Sequence, residues 1–260
     1  MTEFVVLGSA GWLPQETRMT TCLALRAEAG LFVFDAGTGL SRLAFEPLER
    51  LVPPADRPVH VFLTHLHLDH VVGLSYLPAL WSNRTVIHLP PREVSGMGPE
   101  VFDDLFGGPF HTRALTQLLS DVSLTVAPLG ASWVEGHRVV SQAQDHPGGS
   151  TGYRIGDLLA FVTDCRPGGD SVRLAQGVRI LVHEAWSNAQ DDPGGVRAAQ
   201  QGHTSAAGAA QTALLAGVGE LLLGHLPPAG EAYLQSMLEE ARSIFPRTNL
   251  CADGLSRTFD

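Results

Sequence analysis

Lysine is absent from this 260-residue sequence: all 17 basic residues are arginine, against 27 acidic ones, for a formal net charge of −10. Clustered Lys and Arg are what grip a phosphate backbone, so this balance excludes strong non-specific nucleic-acid binding. Cysteine is scarce too. Cys22, Cys165 and Cys251 are odd in number, far apart and form no Cys-x-x-Cys pair. That argues against a Cys-based structural zinc site and suits reduced thiols in a cytoplasmic protein. No apolar run is long enough to span a bilayer. The start, Met1-Thr-Glu leading into Phe4-Val-Val-Leu7, carries neither a basic leader nor an apolar h-region. The expectation is therefore a cytoplasmic protein with no membrane contact. Fixed-period repeats and long low-complexity segments are missing, while 44% of the residues are hydrophobic. Disorder over most of the chain is thereby excluded, and one α/β domain over 1–260 is expected.

What is present centres on Val59-His-Val-Phe-Leu-Thr-His-Leu-His-Leu-Asp-His70. Val59–Leu63 is an apolar, β-branched and aromatic run entered from a proline-rich loop, which predicts a buried strand. Just past its end come His65, His67, Asp69 and His70. In extended backbone residues two apart point the same way, so His65 and His67 can reach one metal ion together. The chain must then turn into Val71-Val72-Gly73-Leu74, which redirects Asp69 and His70 toward a second point. Imidazole nitrogens and carboxylate oxygens are ligands that borderline divalent metals such as zinc accept.

Around this stretch the pattern predicts a strand at Phe4–Leu7 and a hairpin of Thr21–Ala27 with Leu31–Phe34. Asp35-Ala-Gly-Thr-Gly39 reads as a tight turn bordering the metal site. Helical spacing over Leu40–Leu51 is interrupted by Pro47, and a helix is expected from His70 to about Leu77. Thr85–Leu89 reads as a strand. The least regular stretch, 90–120, carries short helical patterns near Val101 and Leu115, and it fits either a lid over the site or an ordinary connection. Further strands are expected at Leu124–Ala127, Arg138–Ala143, Leu158–Thr163, Arg179–Val182, Glu220–Gly224 and Leu250–Ala252. Helices are expected after a cap at Thr204 or Ser205 and over Gly230–Phe245. Four of the strands end in His65, His146, Asp164 or His225. Rigid strands hold loop residues in place, so active sites gather at such ends.

Thr64-His-Leu-His-Leu-Asp-His70 resembles the His-x-His-x-Asp-His motif of the metallo-β-lactamase fold, and His146, Asp164 and His225 follow in the order that superfamily uses. Within it the chain is similar to ribonuclease Z and its phosphodiesterase relatives. The similarity lies in Leu7-Gly8, Phe34-Asp35-Ala-Gly37, Gly152-Tyr-Arg-Ile155, His183-Glu184-Ala185, His203-Thr204 and Ala252-Asp253-Gly254. The resemblance implies a four-layer αββα sandwich with its site at one edge of two packed sheets. It implies that His65, His67 and His146 hold one zinc, that Asp69, His70 and His225 hold another, and that Asp164 bridges them. Manganese or iron are the alternative metals. It also implies catalytic roles for Asp69, for His203 as proton donor to the leaving oxygen, and for Glu184 as its holder. His60, His88, His111 and His137 match no family motif and are expected to be structural.

The function so implied is hydrolysis of a small, cyclic or short single-stranded phosphodiester by a metal-bridging hydroxide. A lactone, thioester or β-lactam hydrolase on the same scaffold is the alternative, and a homodimer is compatible with either. A diiron redox protein of similar fold is disfavoured by His67, where such proteins usually place Glu. Ribonuclease Z also carries a long arm between its third-motif histidine and the bridging aspartate, which grips transfer RNA. Here those positions are 18 apart (164 − 146), leaving space for a hairpin and no arm, so transfer-RNA processing is not expected.

Overall fold

A computed structural model describes residues 1–107 and 121–259. The expected helix near Leu115, His111, and the second half of the 90–120 segment lie outside the described residues. Two seven-stranded sheets carry the architecture. The first runs β14-β1-β2-β3-β4-β5-β6, with β1 Thr2–Gly8, β2 Cys22–Ala27, β3 Gly30–Phe34, β4 Val59–Phe62, β5 Thr85–Leu89, β6 Val122–Val126 and β14 Ser256–Phe259. The second runs β13-β12-β11-β10-β9-β8-β7, with β7 Gly130–Val134, β8 His137–Gln144, β9 Ser150–Ile155, β10 Leu159–Val162, β11 Ile180–Glu184, β12 Glu220–Gly224 and β13 Thr248–Leu250.

Alternation along the strands explains the layering. On β4, Val59 and Val61 face a core shared with Leu40, Leu51, Leu74 and Leu77 on the outer side. Phe62 faces a second core in which Phe4, Phe32 and Phe34 meet Tyr153, Phe161, Val182 and Leu222 of the other sheet. A strand buried on both faces reads as a continuous apolar run, which is why β4 was conspicuous in the sequence. A third core packs β10–β12 against helices α5 (Gly169–Ala175), α7 (Ala206–Ala216) and α8 (Glu231–Ile244). Small residues at Ala206, Ala209, Ala210, Ala213 and Ala216 form the buried side of α7. On α8 the buried Leu234, Met237, Leu238 and Ala241 keep helical spacing. The result is the expected αββα sandwich.

Several elements depart from expectation. Leu40–Leu51 forms two 3₁₀ segments, Thr38–Ala44 and Leu48–Leu51, separated at Pro47, whose ring cannot donate to a continuous helix. The segment after His67 is broken as well: α1 covers Leu68–Val71, a 3₁₀ turn Val72–Tyr76, and α2 Leu77–Leu80. Gly73 presses on the loop after β3 there, its N–H donating to the Ala36 carbonyl at 2.7 Å. Edge strands β7 and β14 carry weak apolar signals and are not among the strands expected from the sequence. The helix near Val101 is α4, Glu100–Leu105, preceded by α3, Arg92–Ser95. Among the described residues no helix is long and apolar enough to cross a membrane.

Candidate metal and active site

The strands that matter share one direction. Strands β3, β4 and β5 are parallel, as are β10, β11 and β12. Strand β8 regains the direction of β10 through two antiparallel pairings across β9. Their C-terminal ends therefore lie at one rim, where Asp35, His65, His146, Asp164 and His225 each follow a strand. Asp35, Asp164 and His225 turn there with positive φ, 55°, 49° and 45°. L-residues adopt this conformation at a cost, and such strain concentrates at functional sites.

The rim residues converge. Ligating atoms of His65, His67 and His146 form one compact group, and those of Asp69, His70 and His225 another. Asp164 stands between them. Its Oδ2 lies 3.2 Å from His225 Nε2 and 3.3 Å from His70 Nε2, while its Oδ1 is 3.9 Å from His146 Nε2. All seven predicted ligands are thus brought together. Only His67 is exposed, and it closes the group from the solvent side with Nδ1 2.9 Å from His65 Nε2.

Outer hydrogen bonds fix which nitrogen faces inward. His70 Nδ1 donates to Asp35 Oδ2 at 2.8 Å, and the same carboxylate accepts from the Thr64 N–H at 2.8 Å and from its hydroxyl. With that hydroxyl committed to Asp35, its oxygen accepts from His65 Nδ1 at 3.0 Å. His146 Nδ1 donates to the Gly202 carbonyl at 2.9 Å. Gly202 has φ +92°, and a Cβ there would come within 2.9 Å of that same nitrogen. In each case Nε2 is left bare toward the centre, the arrangement typical of metal-ligating histidines. Asp35 is the residue that sequence reasoning missed. Read as a tight-turn residue, it is a fully buried acid after an apolar strand, the same signal that marked Asp164.

The donor set fits a cation. His146 Nε2 is buried with no hydrogen-bond partner. His65 and His67, and His70 and His225 (3.2 Å), set ring nitrogen against ring nitrogen, and one shared proton cannot satisfy every lone pair that converges here. Electrostatics agree. Burial alone would raise the carboxyls of Asp69 and Asp164, yet the surrounding imidazoles hold both well below the ordinary range. Burial pushes His65 and His146 down, keeping them neutral donors.

Beside this cluster His203 Nδ1 donates to Glu184 Oε2 at 2.8 Å. Glu184 ends β11 and is buried; its other oxygen accepts from the Cys165 N–H. Burial and then the neighbouring Asp164 charge push its carboxyl up. His203 follows α6 (Val196–Gln201) and is held by its N–H to the Ala198 carbonyl, while Ser205 caps α7 by accepting from the Gly208 N–H. Trp186 stacks on the His203 ring at 4.6 Å and 19°. His203 and Trp186 line a cleft of about 420 Å³ with His67, Asp69, His146, Asp164 and His225 of the cluster and with Trp12, Pro147 and Gln201. Ser95 and Met97 border a smaller pocket with His65 and His67, so the first part of the 90–120 segment sits beside the site. His60, His88 and His137 lie elsewhere, among Phe32 and Phe62.

The family model of the metallo-beta-lactamase superfamily matches residues 16–222. Ribonuclease Z of Methanothermobacter thermautotrophicus is 26% identical over 317 aligned positions, covering 97% of this chain and 95% of that protein. That alignment exceeds this chain's 260 residues by 57 positions (317 − 260), so the relative carries segments that this chain lacks. Among solved structures, the metallo-beta-lactamase fold protein YhfI from Bacillus subtilis superposes with a TM-score of 0.76 at 20% identity, covering 98% of both chains. A diphosphatase of the PhnP family does so at 0.72 and 17% identity, covering 100% of this chain and 98% of its own. The chain belongs to the metallo-beta-lactamase superfamily and is a metal-dependent hydrolase.

Proposed function

We propose that the chain, one metallo-β-lactamase-fold domain over 1–260, is a dinuclear phosphodiesterase acting on a small, cyclic or short single-stranded phosphodiester. The observation that carries this is Asp164, whose two oxygens face different histidine groups. His65, His67 and His146 would hold one divalent ion, and Asp69, His70 and His225 the other, with Asp164 shared. Nitrogen and oxygen donors without thiolate suit zinc, with manganese or iron as the alternatives. Ions bound there supply Lewis acidity, lowering the pKa of water and offsetting charge on phosphoryl oxygens.

The remaining work falls to the chain's own residues. Glu184 accepts the hydrogen bond from His203 Nδ1, which fixes the tautomer and favours the imidazolium, so Nε2 is the ring atom left to pass a proton to the departing alkoxide. An alkoxide is a poor leaving group, so such a donor favours a phosphodiester over a thioester, whose thiolate departs without protonation. The relatives named ribonuclease Z and diphosphatase point the same way. Processing of folded transfer RNA is not supported. His146 and Asp164 are joined by the short β9–β10 hairpin, and among the described residues no arginine lines the cleft. The three cysteines are free and buried, in keeping with a cytoplasmic setting.

Metal analysis after gentle dialysis is expected to give about two ions per chain, and Asp164→Ala to lower that ratio. In a panel of bis-p-nitrophenyl phosphate, cyclic nucleotides, a thioester and a lactone, the diesters should turn over fastest. Full activity in metal-free protein, or turnover confined to the thioester and lactone, would overturn the reading.

A further inference from the structure

We infer that Trp12 is a stacking platform for a nucleobase, which makes the substrate a nucleoside-bearing phosphodiester; this rests on the phosphodiesterase reading above. Trp12 is 67% exposed although it borders the cleft. An exposed indole is ordinarily free to move, but this one stands on a fixed backbone. The Trp12 backbone N–H donates to Asp69 Oδ2 at 2.8 Å. The Gly11 N–H donates to the Leu226 carbonyl at 2.9 Å, and Ala10 bridges both Thr20 and Leu226. Gly11 is pressed so close to His225 that a Cβ there would lie 2.5 Å from Nδ1. The segment is thus wedged between two predicted ligands. Trp12 itself is held at φ 64°, a conformation that costs free energy for any residue but glycine.

The rest of the cleft explains why a ring is needed. Its other lining residues are the histidines and carboxylates of the site with Pro147, Trp186 and Gln201, and the Trp186 ring is already occupied against His203 and His225. Among the described residues no arginine lines the cleft. What the described lining offers beyond the reacting phosphate is flat apolar contact, and Trp12 is the exposed surface that provides it. A cleft of about 420 Å³ falls within the range usual for small-molecule sites, suited to one nucleotide rather than a folded RNA. Base stacking on an aromatic side chain is sequence-tolerant and is worth roughly five- to a hundredfold in binding.

Two diesters with one leaving group and one charge separate this from simple hydrolysis: the p-nitrophenyl ester of thymidine 5′-monophosphate and p-nitrophenyl methyl phosphate. Wild type, Trp12→Phe and Trp12→Ala share the same backbone demand, so only the ring differs. The ratio of kcat/KM between the esters should favour the nucleoside in wild type by roughly tenfold or more, persist largely in the Phe variant, and collapse in the Ala variant through KM. Calorimetric binding of thymidine 5′-monophosphate to the metal-loaded chains should weaken in the same order. If both esters are cleaved with a ratio that Trp12→Ala does not change, stacking is wrong and the phosphodiesterase reading stands. If neither ester is cleaved, that reading fails. Nucleotide binding no tighter in wild type than in Trp12→Ala, absence of binding included, overturns the platform on its own.

Discussion

His60 and His65 sit five positions apart on and just after β4, and both are buried, at 4% and 3% exposure. Burial therefore does not separate a packed histidine from one built to take a cation. The His60 ring lies between the sheets, stacked on Phe32 at 5.7 Å and 20°, with Nδ1 2.9 Å from His88 Nε2 and Nε2 3.3 Å from Glu135. His88 in turn lies flat on Phe62 at 4.1 Å and 4°. Both nitrogens of His60 have partners, and burial pushes His60 down and His88 to about 3, so the pair stays neutral. At the rim the opposite holds: the outer Nδ1 atoms of His65, His70 and His146 have partners, the inner nitrogens converge on Asp69 and Asp164, and His146 Nε2 and His225 Nδ1 are buried without one. The direction of the bare nitrogens makes the difference.

The hardest break in that comparison is at His203. His203→Ala should lower kcat for a diester with a poor leaving group by roughly 10²–10⁴ while metal content stays the same. The loss should shrink with p-nitrophenolate, which needs little protonation. His60→Ala should leave kcat alone on either substrate. Equal losses on good and poor leaving groups would reassign His203 to substrate positioning.

Asp35 sharpens the contrast next. It orients His70 and, through Thr64, His65, so Asp35→Ala should weaken metal binding by roughly 10–100-fold in a chelator competition. His88→Gln should leave that affinity unchanged. Matching affinities in the two variants would mean that outward hydrogen bonding is not what prepares the site.

How much of this was legible follows from the physics of each signal. Strand β4 and its ligand-type residues depend on local spacing and read directly, while the helix cap was legible only as Thr204 or Ser205, and the structure places it at Ser205. The meeting of His146, Asp164 and His225 was legible only as a repeated strand-end pattern; their common rim is set by strand direction across two sheets, which no local window contains. Asp35 was hidden because an acid beside two glycines is the ordinary composition of a turn. Strands β7 and β14 were hidden because edge strands need no apolar face. The His60–His88 pair depends on β4–β5 register, which places Phe62 opposite His88, and sequence separation conceals such a contact.

The smallest expected effect concerns that pair and runs through stability. In the unfolded chain a histidine titrates near its usual 6.5, whereas folded His88 does so at about 3. Between those values the unfolded state binds a proton that the folded state refuses, so stability falls as pH drops below about 6.5 and is unaffected above it. From pH 7 to pH 5 the loss from His88 is roughly 1–2 kcal/mol. Replacing it by Gln removes the titration and keeps a hydrogen-bonding group near His60. Measured in chelator, so that the rim histidines titrate alike in both proteins, Tm of His88→Gln minus that of wild type should rise by roughly 2–8 °C between pH 7 and 5. A difference that stays constant with pH would mean that His88 titrates normally and that the inner layer is wetter than its Phe62 stacking implies.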